Sequence, residues 1–112
     1  MKEWDARDRS LIERAANGLT VHRTLALAAT ATVPQGASHV LVDTTAGSVT
    51  LTLPKAAVMQ GRVVVFKKLI AANTLTLDAD GTETIDGATT LAWTTQYLAH
   101  RLLSDGTQWW TV

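Results

Sequence analysis

The chain has no cysteine, which excludes disulfides, thiolate nucleophiles and every zinc site that needs a Cys ligand. It has no excess of either charge: ten Lys and Arg balance ten Asp and Glu, and the longest basic run is Lys67-Lys68. Nucleic-acid affinity rests on accumulated phosphate contacts, so this balance argues against a nucleic-acid surface. No apolar stretch approaches the roughly 20 residues that a membrane-spanning helix requires. The opening MKEWDARDRS is too charged for the apolar region of a secretion signal. The expectation is a soluble protein, made and folded in a cytoplasm, without membrane insertion. At 112 residues it should form one domain. Such a domain buries roughly two-thirds of the surface its unfolded chain exposes, a core that a partner subunit would usefully extend.

What is present falls into two regions with different periods. Residues Lys2 to Asn17 are rich in helix formers and free of proline, and Asn17-Gly18 supplies a stop that tolerates a left-handed conformation. Glu3, Asp5 and Asp8 crowd the first half, where they suit the helix dipole. Glu3 with Arg7 and Asp5 with Arg9 are i, i+4 pairs in the favourable order, worth about 0.2 to 0.5 kcal/mol each. The spacing thus predicts a short N-terminal α-helix within residues 1–19, with Trp4, Leu11, Ile12, Ala15 and Leu19 forming an apolar docking stripe. The stripe can pack on the chain's own β domain or on neighbouring subunits of a larger assembly. Its position ahead of the β region, joined by Ala-rich and Thr-rich residues, favours the second.

From Val21 the period becomes two. Thr24-Leu25-Ala26-Leu27-Ala28, His39-Val40-Leu41-Val42-Asp43 and Val49-Thr50-Leu51-Thr52-Leu53 alternate so that one face can be buried and the other left to threonine. Arg62 to Phe66, apolar after its first residue, reads as a central strand. Turn signals recur at Pro34-Gln35-Gly36, Ala46-Gly47-Ser48, Asp80-Gly81, Asp86-Gly87 and Ser104-Asp105-Gly106. About eight short strands at this spacing predict a mainly β chain folded as a β-sandwich or barrel-like domain. Residues 20–37 read as a linker with the first strand, and residues 38–112 as the β domain. The pentads TLTLP at Thr50 and TLTLD at Thr74 begin 24 positions apart, a hint of duplicated hairpins, although two copies do not make a solenoid.

Residues that could carry chemistry are sparse. Asp78, Asp80, Glu83 and Asp86 surround Gly81, but Ala79, Thr82 and Ile85 interrupt the ligand pattern of a calcium loop, so these acids read as turn residues. Two short hairpin loops also lack the groove a pair of catalytic carboxylates would need. His22, His39 and His100 are scattered, without a second ligand at metal-site spacing. Ser48, Ser104 and Asp105 lack a nucleophile-elbow motif. Neither a catalytic nor a metal site is expected, and no cofactor. Trp109 and Trp110 are consecutive in a strand, so they must face opposite ways, one into the core and one outward. The outward ring is a candidate intersubunit anchor or glycan-stacking platform. Trp93 alternates with Leu91 and should be core.

Four segments taken together, VTLTLP (49–54), GRVVVFKK (61–68), NTLTLDADGTETIDG (73–87) and LLSDGTQWWTV (102–112), resemble a module widespread in tailed-phage virions. That module occurs in tail fibres, appendages and small head-decoration or head-fibre proteins. The likeness covers residues 38–112, about two-thirds of the chain, and the order of the segments is more specific than any one of them. It implies a homotrimeric, non-enzymatic β module attached to the particle through an N-terminal segment. Typical fibres carry such modules in series in much longer chains, so a short chain is expected to be a capsid decoration, a head fibre, or a small collar or tail component. Its partners would then be two further copies of itself and capsid or tail proteins of the virion. The alternative is a small lectin-like adhesin holding host-surface glycan with Trp109 or Trp110 beside Asp105, Gln108 and Gln96.

Overall fold

The computed structural model describes residues 23–112. The expected helix of residues 1–19, with its stripe of Trp4, Leu11, Ile12, Ala15 and Leu19, lies outside the described residues. Within them are nine strands: β1 (Arg23–Leu27), β2 (Ala31–Thr32), β3 (Ala37–Val42), β4 (Val49–Thr52), β5 (Val63–Lys68), β6 (Leu75–Asp78), β7 (Thr90–Trp93), β8 (Ala99–Ser104) and β9 (Trp109–Thr111). One short 3-10 helix, Ala56–Met59, follows β4. The chain is mainly β, as its period-two alternation predicts.

The strands form two mixed sheets. Sheet A runs β9-β8-β5-β3-β1 and sheet B runs β2-β4-β6-β7. From β1 to β6 the chain visits the sheets alternately, and each strand pairs in parallel with the one before it in its own sheet. Three coils are therefore stacked on one another, with Leu25 beside Val40 and Val40 beside Phe66 in sheet A. Ala31 lies beside Leu51, and Leu51 beside Leu77, in sheet B. The direction then reverses. β7 pairs antiparallel with β6, β8 with β5, and β9 with β8.

This arrangement explains the Thr-Leu pentads in a way the hairpin expectation does not. They are parallel neighbours in adjacent coils, in the register Val49↔Leu75, Thr50↔Thr76 and Leu51↔Leu77. Residues 23–37, read as a linker with one strand, supply the whole first coil, and Val33 and Ala37 are buried in the common core. The segment LAWTTQYLAHRLLSDG (91–106), which the sequence presents as a single strand, is broken at Thr94–Leu98 and its halves belong to different sheets. The break turns on Tyr97, whose φ of 65° is left-handed.

Alternation places one apolar row of each strand between the sheets. Val40, Val42, Val64, Phe66, Leu102 and Trp109 of sheet A meet Val49, Leu51, Leu75, Leu77 and Trp93 of sheet B in a single buried cluster. Each such side chain contributes about 1.5–3 kcal/mol on leaving water. β5, expected to be central, is the middle strand of sheet A. One end of the core is closed by the 3-10 helix, whose Ala56 and Met59 are buried. The Ser104 hydroxyl donates to the Ala56 carbonyl at 2.6 Å, and the Ala56 N–H donates to Glu83 Oε1 at 3.0 Å.

The other end is closed around a charge. Lys68 is fully buried, and its ammonium donates to the carbonyls of Ile70 and, at 3.1 Å, of Ala72. The buried Thr44 hydroxyl reaches the same Ala72 carbonyl at 2.6 Å, and Asn73 Nδ2 donates to the Thr44 carbonyl at 2.7 Å. A buried ammonium is tolerated only when its protons are satisfied. Here the 70–73 loop folds over Lys68 to supply acceptors, with Asn73 in the left-handed region at φ 67°.

Candidate interaction face

The outer surfaces of the two sheets are set by the same alternation but filled differently. Outward positions of sheet B stack in two rows, Thr32, Thr52, Asp78 and Thr90 in one and Thr50, Thr76 and Ala92 in the other. Outward positions of sheet A give a row of Trp110, Leu103 and Val63 across β9, β8 and β5. Beside it run Arg101, Val65, His39 and Thr24, then Ala99, Lys67, Leu41 and Ala26. Trp110 is 42 % exposed, Val63 41 % and Val112 57 %, while Leu103, Val65 and Leu41 are half-buried. Scattered exposed apolar residues are ordinary, but neighbouring ones across three adjacent strands form a patch of the kind that marks an interaction surface.

The patch is held rigidly at its β9 edge. In the turn before β9, Asp105 Oδ1 accepts from the N–H groups of Thr107 and Gln108, both at 2.8 Å, and Oδ2 accepts from Trp110 Nε1 at 2.8 Å. The Gln108 N–H, the Trp110 indole and the Thr107 N–H, in that order of weight, hold the Asp105 carboxyl below its ordinary value of 3.8. Gly106 completes the turn at φ 93°, where an added Cβ would come within 3.0 Å of the Gln60 side chain. The bond to Asp105 favours one orientation of the Trp110 ring, which lowers the entropy cost of using it as an anchor.

The far side of β9 is covered by the Thr82–Ala88 hairpin. Asp86 and Gly87, at φ 50° and 88°, have the doubly left-handed backbone of a type I′ hairpin turn. The Trp109 N–H donates to the Thr84 carbonyl at 2.9 Å, and the Asp86 N–H to the Trp109 carbonyl at 3.0 Å. The Thr111 hydroxyl and N–H then bond the Asp86 carboxylate and lower its pKa, assisted weakly by His100. Gln108 Oε1 accepts from both the N–H and the hydroxyl of Thr84. Of the four acids read as turn residues, Asp86 sits in the hairpin turn and also ties the last strand, Glu83 ties the 3-10 helix, and Asp78 lies in β6.

Of the two consecutive tryptophans, Trp109 is fully buried and Trp110 is the outward ring. Trp109 Nε1 is the one buried side-chain polar atom among the described residues without a hydrogen-bond partner. Trp93 is buried, donates to the Leu98 carbonyl at 3.1 Å and meets His100 edge-on at 4.5 Å. His39 is exposed, with Nδ1 3.1 Å from the Ser38 hydroxyl, and His22 lies outside the described residues. Among the described residues no three His, Asp or Glu side chains come together as a metal site, no cavity is found, and no helix is long and apolar enough to cross a membrane.

The sequence marks Trp109 and Trp110 as a pair without saying which faces out, and leaves Leu41, Val63, Val65 and Leu103 unmarked. A signal for them existed: β5 and β8 carry apolar residues at both alternating positions, where β4 and β6 carry threonine at one. Comparison with protein-family models finds no match, and comparison with curated proteins finds none either.

Proposed function

We propose that this is a non-enzymatic structural virion protein of a tailed bacteriophage. In this reading it is a homotrimer that serves as a capsid decoration, head fibre or small tail or fibre component. Three copies present their β domains outward, and the N-terminal segment with Trp4, Leu11, Ile12, Ala15 and Leu19 holds them to capsid or tail proteins. One observation carries the reading: the motif residues that resemble the phage module are spent on bracing the fold. Asp105 and Gly106 of SDG fix Trp110, Asp86 and Gly87 of IDG hold the final strand, and the repeated Thr-Leu segments stack as adjacent coils. Residues used in this way make a rigid block, which suits an assembly part.

A glycan-binding adhesin is a second reading, favoured by the exposed and immobilised ring of Trp110. The polar groups meant to accompany it are already engaged within the chain. Asp105 is tied into its turn, Gln108 Oε1 to Thr84 and Gln96 Nε2 to the Leu69 carbonyl. The test is the mass of the purified full-length protein by light scattering, followed by its incorporation into particles with and without residues 1–19. Three times the 12.0 kDa chain, about 36 kDa, with incorporation lost on truncation is the expected result. A monomer that binds glycan equally well after truncation would sink the proposal.

A further inference from the structure

We infer that the outer face of sheet A is the contact surface between copies of this chain, joined head to side, with the β9 edge and hairpin of one copy lying over the β3–β5–β8 face of the next. The inference rests on the oligomeric reading above and adds which surfaces meet.

Three observations support it. The face is apolar where the equivalent face of sheet B is threonine, so the need for cover is specific to sheet A. Its cations stand among the apolar residues on inner strands: Lys67 on β5 and Arg101 on β8. Lys67 also stands over the Tyr97 ring, 5.8 Å from its centre. Acids stand instead at the β9 edge, Asp86 in the hairpin beside that strand and Asp105 in the turn before it. The sheet is thus polarised, basic and apolar across its centre and acidic along one edge.

That polarity selects the geometry. A two-fold axis through the centre of sheet A would set Lys67 and Arg101 against their own copies, a like-charge contact that disfavours an isologous dimer. A heterologous contact sets the acidic edge of one copy on the basic centre of the next and leaves each copy with one used and one open surface, a pattern completed by closing a ring. Trp110, on the β9 edge that meets the next copy, is the anchor.

The test uses the full chain and the light-scattering mass at several concentrations, with Val63→Lys and Arg101→Glu on the face and Thr76→Lys on the outside of sheet B as control. Because Val63 and Arg101 are exposed, both variants should keep the wild-type circular dichroism and melting temperature. Each should weaken association by about ten-fold or more, while Thr76→Lys stays at the wild-type mass. Association should also weaken in high salt. Wild-type mass in both face variants, with the wild type near 36 kDa, would overturn the face assignment and leave the proposed function standing. A wild type of about 24 kDa would overturn the head-to-side geometry, and a monomer at every concentration would overturn both readings.

Discussion

Sheet B turns Thr50, Thr52, Thr76 and Asp78 to solvent, whereas at equivalent positions sheet A turns out Val63, Val65, Leu41 and Leu103. Both sheets come from the same coils, have parallel strands at their centres and bury apolar inner rows, with Lys68 and Ser104 buried beside them in sheet A. The contrast therefore cannot be attributed to the demands of folding. Threonine suits a strand surface left in water, since it supplies β propensity without a greasy exterior. Val and Leu at the same alternation point to a surface that spends its working life covered.

The largest effects should come from the inner rows, where the sheets are alike. Phe66→Ala in sheet A and Leu77→Ala in sheet B should each lose about 3–5 kcal/mol in urea unfolding. A much smaller loss in one would show that the core is not shared. Lys68→Met comes next. It strands the Ile70 carbonyl and leaves Ala72 with the Thr44 hydroxyl alone, and a loss of about 2 kcal/mol with faster amide exchange in residues 69–73 is expected. An unchanged stability would mean that water replaces the ammonium.

Acid should then distinguish the edge of sheet A. Asp43, Asp86 and Asp105 all have folded pKa values below the ordinary 3.8, through bonds from Thr45, from Thr111, and from Gln108 with Trp110. Carboxylates of this kind stabilise the fold fully above 3.8 and lose that contribution as pH falls through the depressed value. The urea midpoint should accordingly drop as the pH falls below 3.8. The doubly substituted Asp86→Asn, Asp105→Asn protein should show a shallower drop, and an equally steep one would place the acid sensitivity elsewhere. The smallest effects belong to the outer faces. Val65→Thr and Thr76→Val should each change monomer stability by within about 0.5 kcal/mol, yet only Val65→Thr should weaken self-association, read by sedimentation.

Much of the β region was legible because alternation and turn chemistry are local. The central β5, the opposed tryptophans and the Asp86-Gly87 and Asp105-Gly106 turns all follow from neighbours in sequence. Pairing direction was not legible, since a Thr-Leu alternation serves a parallel neighbour as well as an antiparallel one. The break at Thr94–Leu98 was hidden because its left-handed residue is Tyr97, with neither Gly nor Pro nearby to announce it. Lys68 was hidden too: beside Lys67 it reads as a solvated pair, and its acceptors come from a loop whose fold is set only when the coils stack. The outer face of sheet A was half visible, with the Trp109-Trp110 pair marked but its outward member undecided, and the flanking rows unseen until β5, β8 and β9 were placed side by side.

Between Val40 and Phe66 the chain takes 26 positions to return to its own sheet, and between Leu25 and Val40 it takes 15, yet both pairs stack in register. The length of chain between stacked strands can thus differ from coil to coil while each strand keeps its phase. A duplication of one complete coil would lengthen the body by about 4.8 Å and preserve both outer surfaces. The gene can therefore tune the reach of this protein in discrete increments, as one lengthens a ladder by adding rungs.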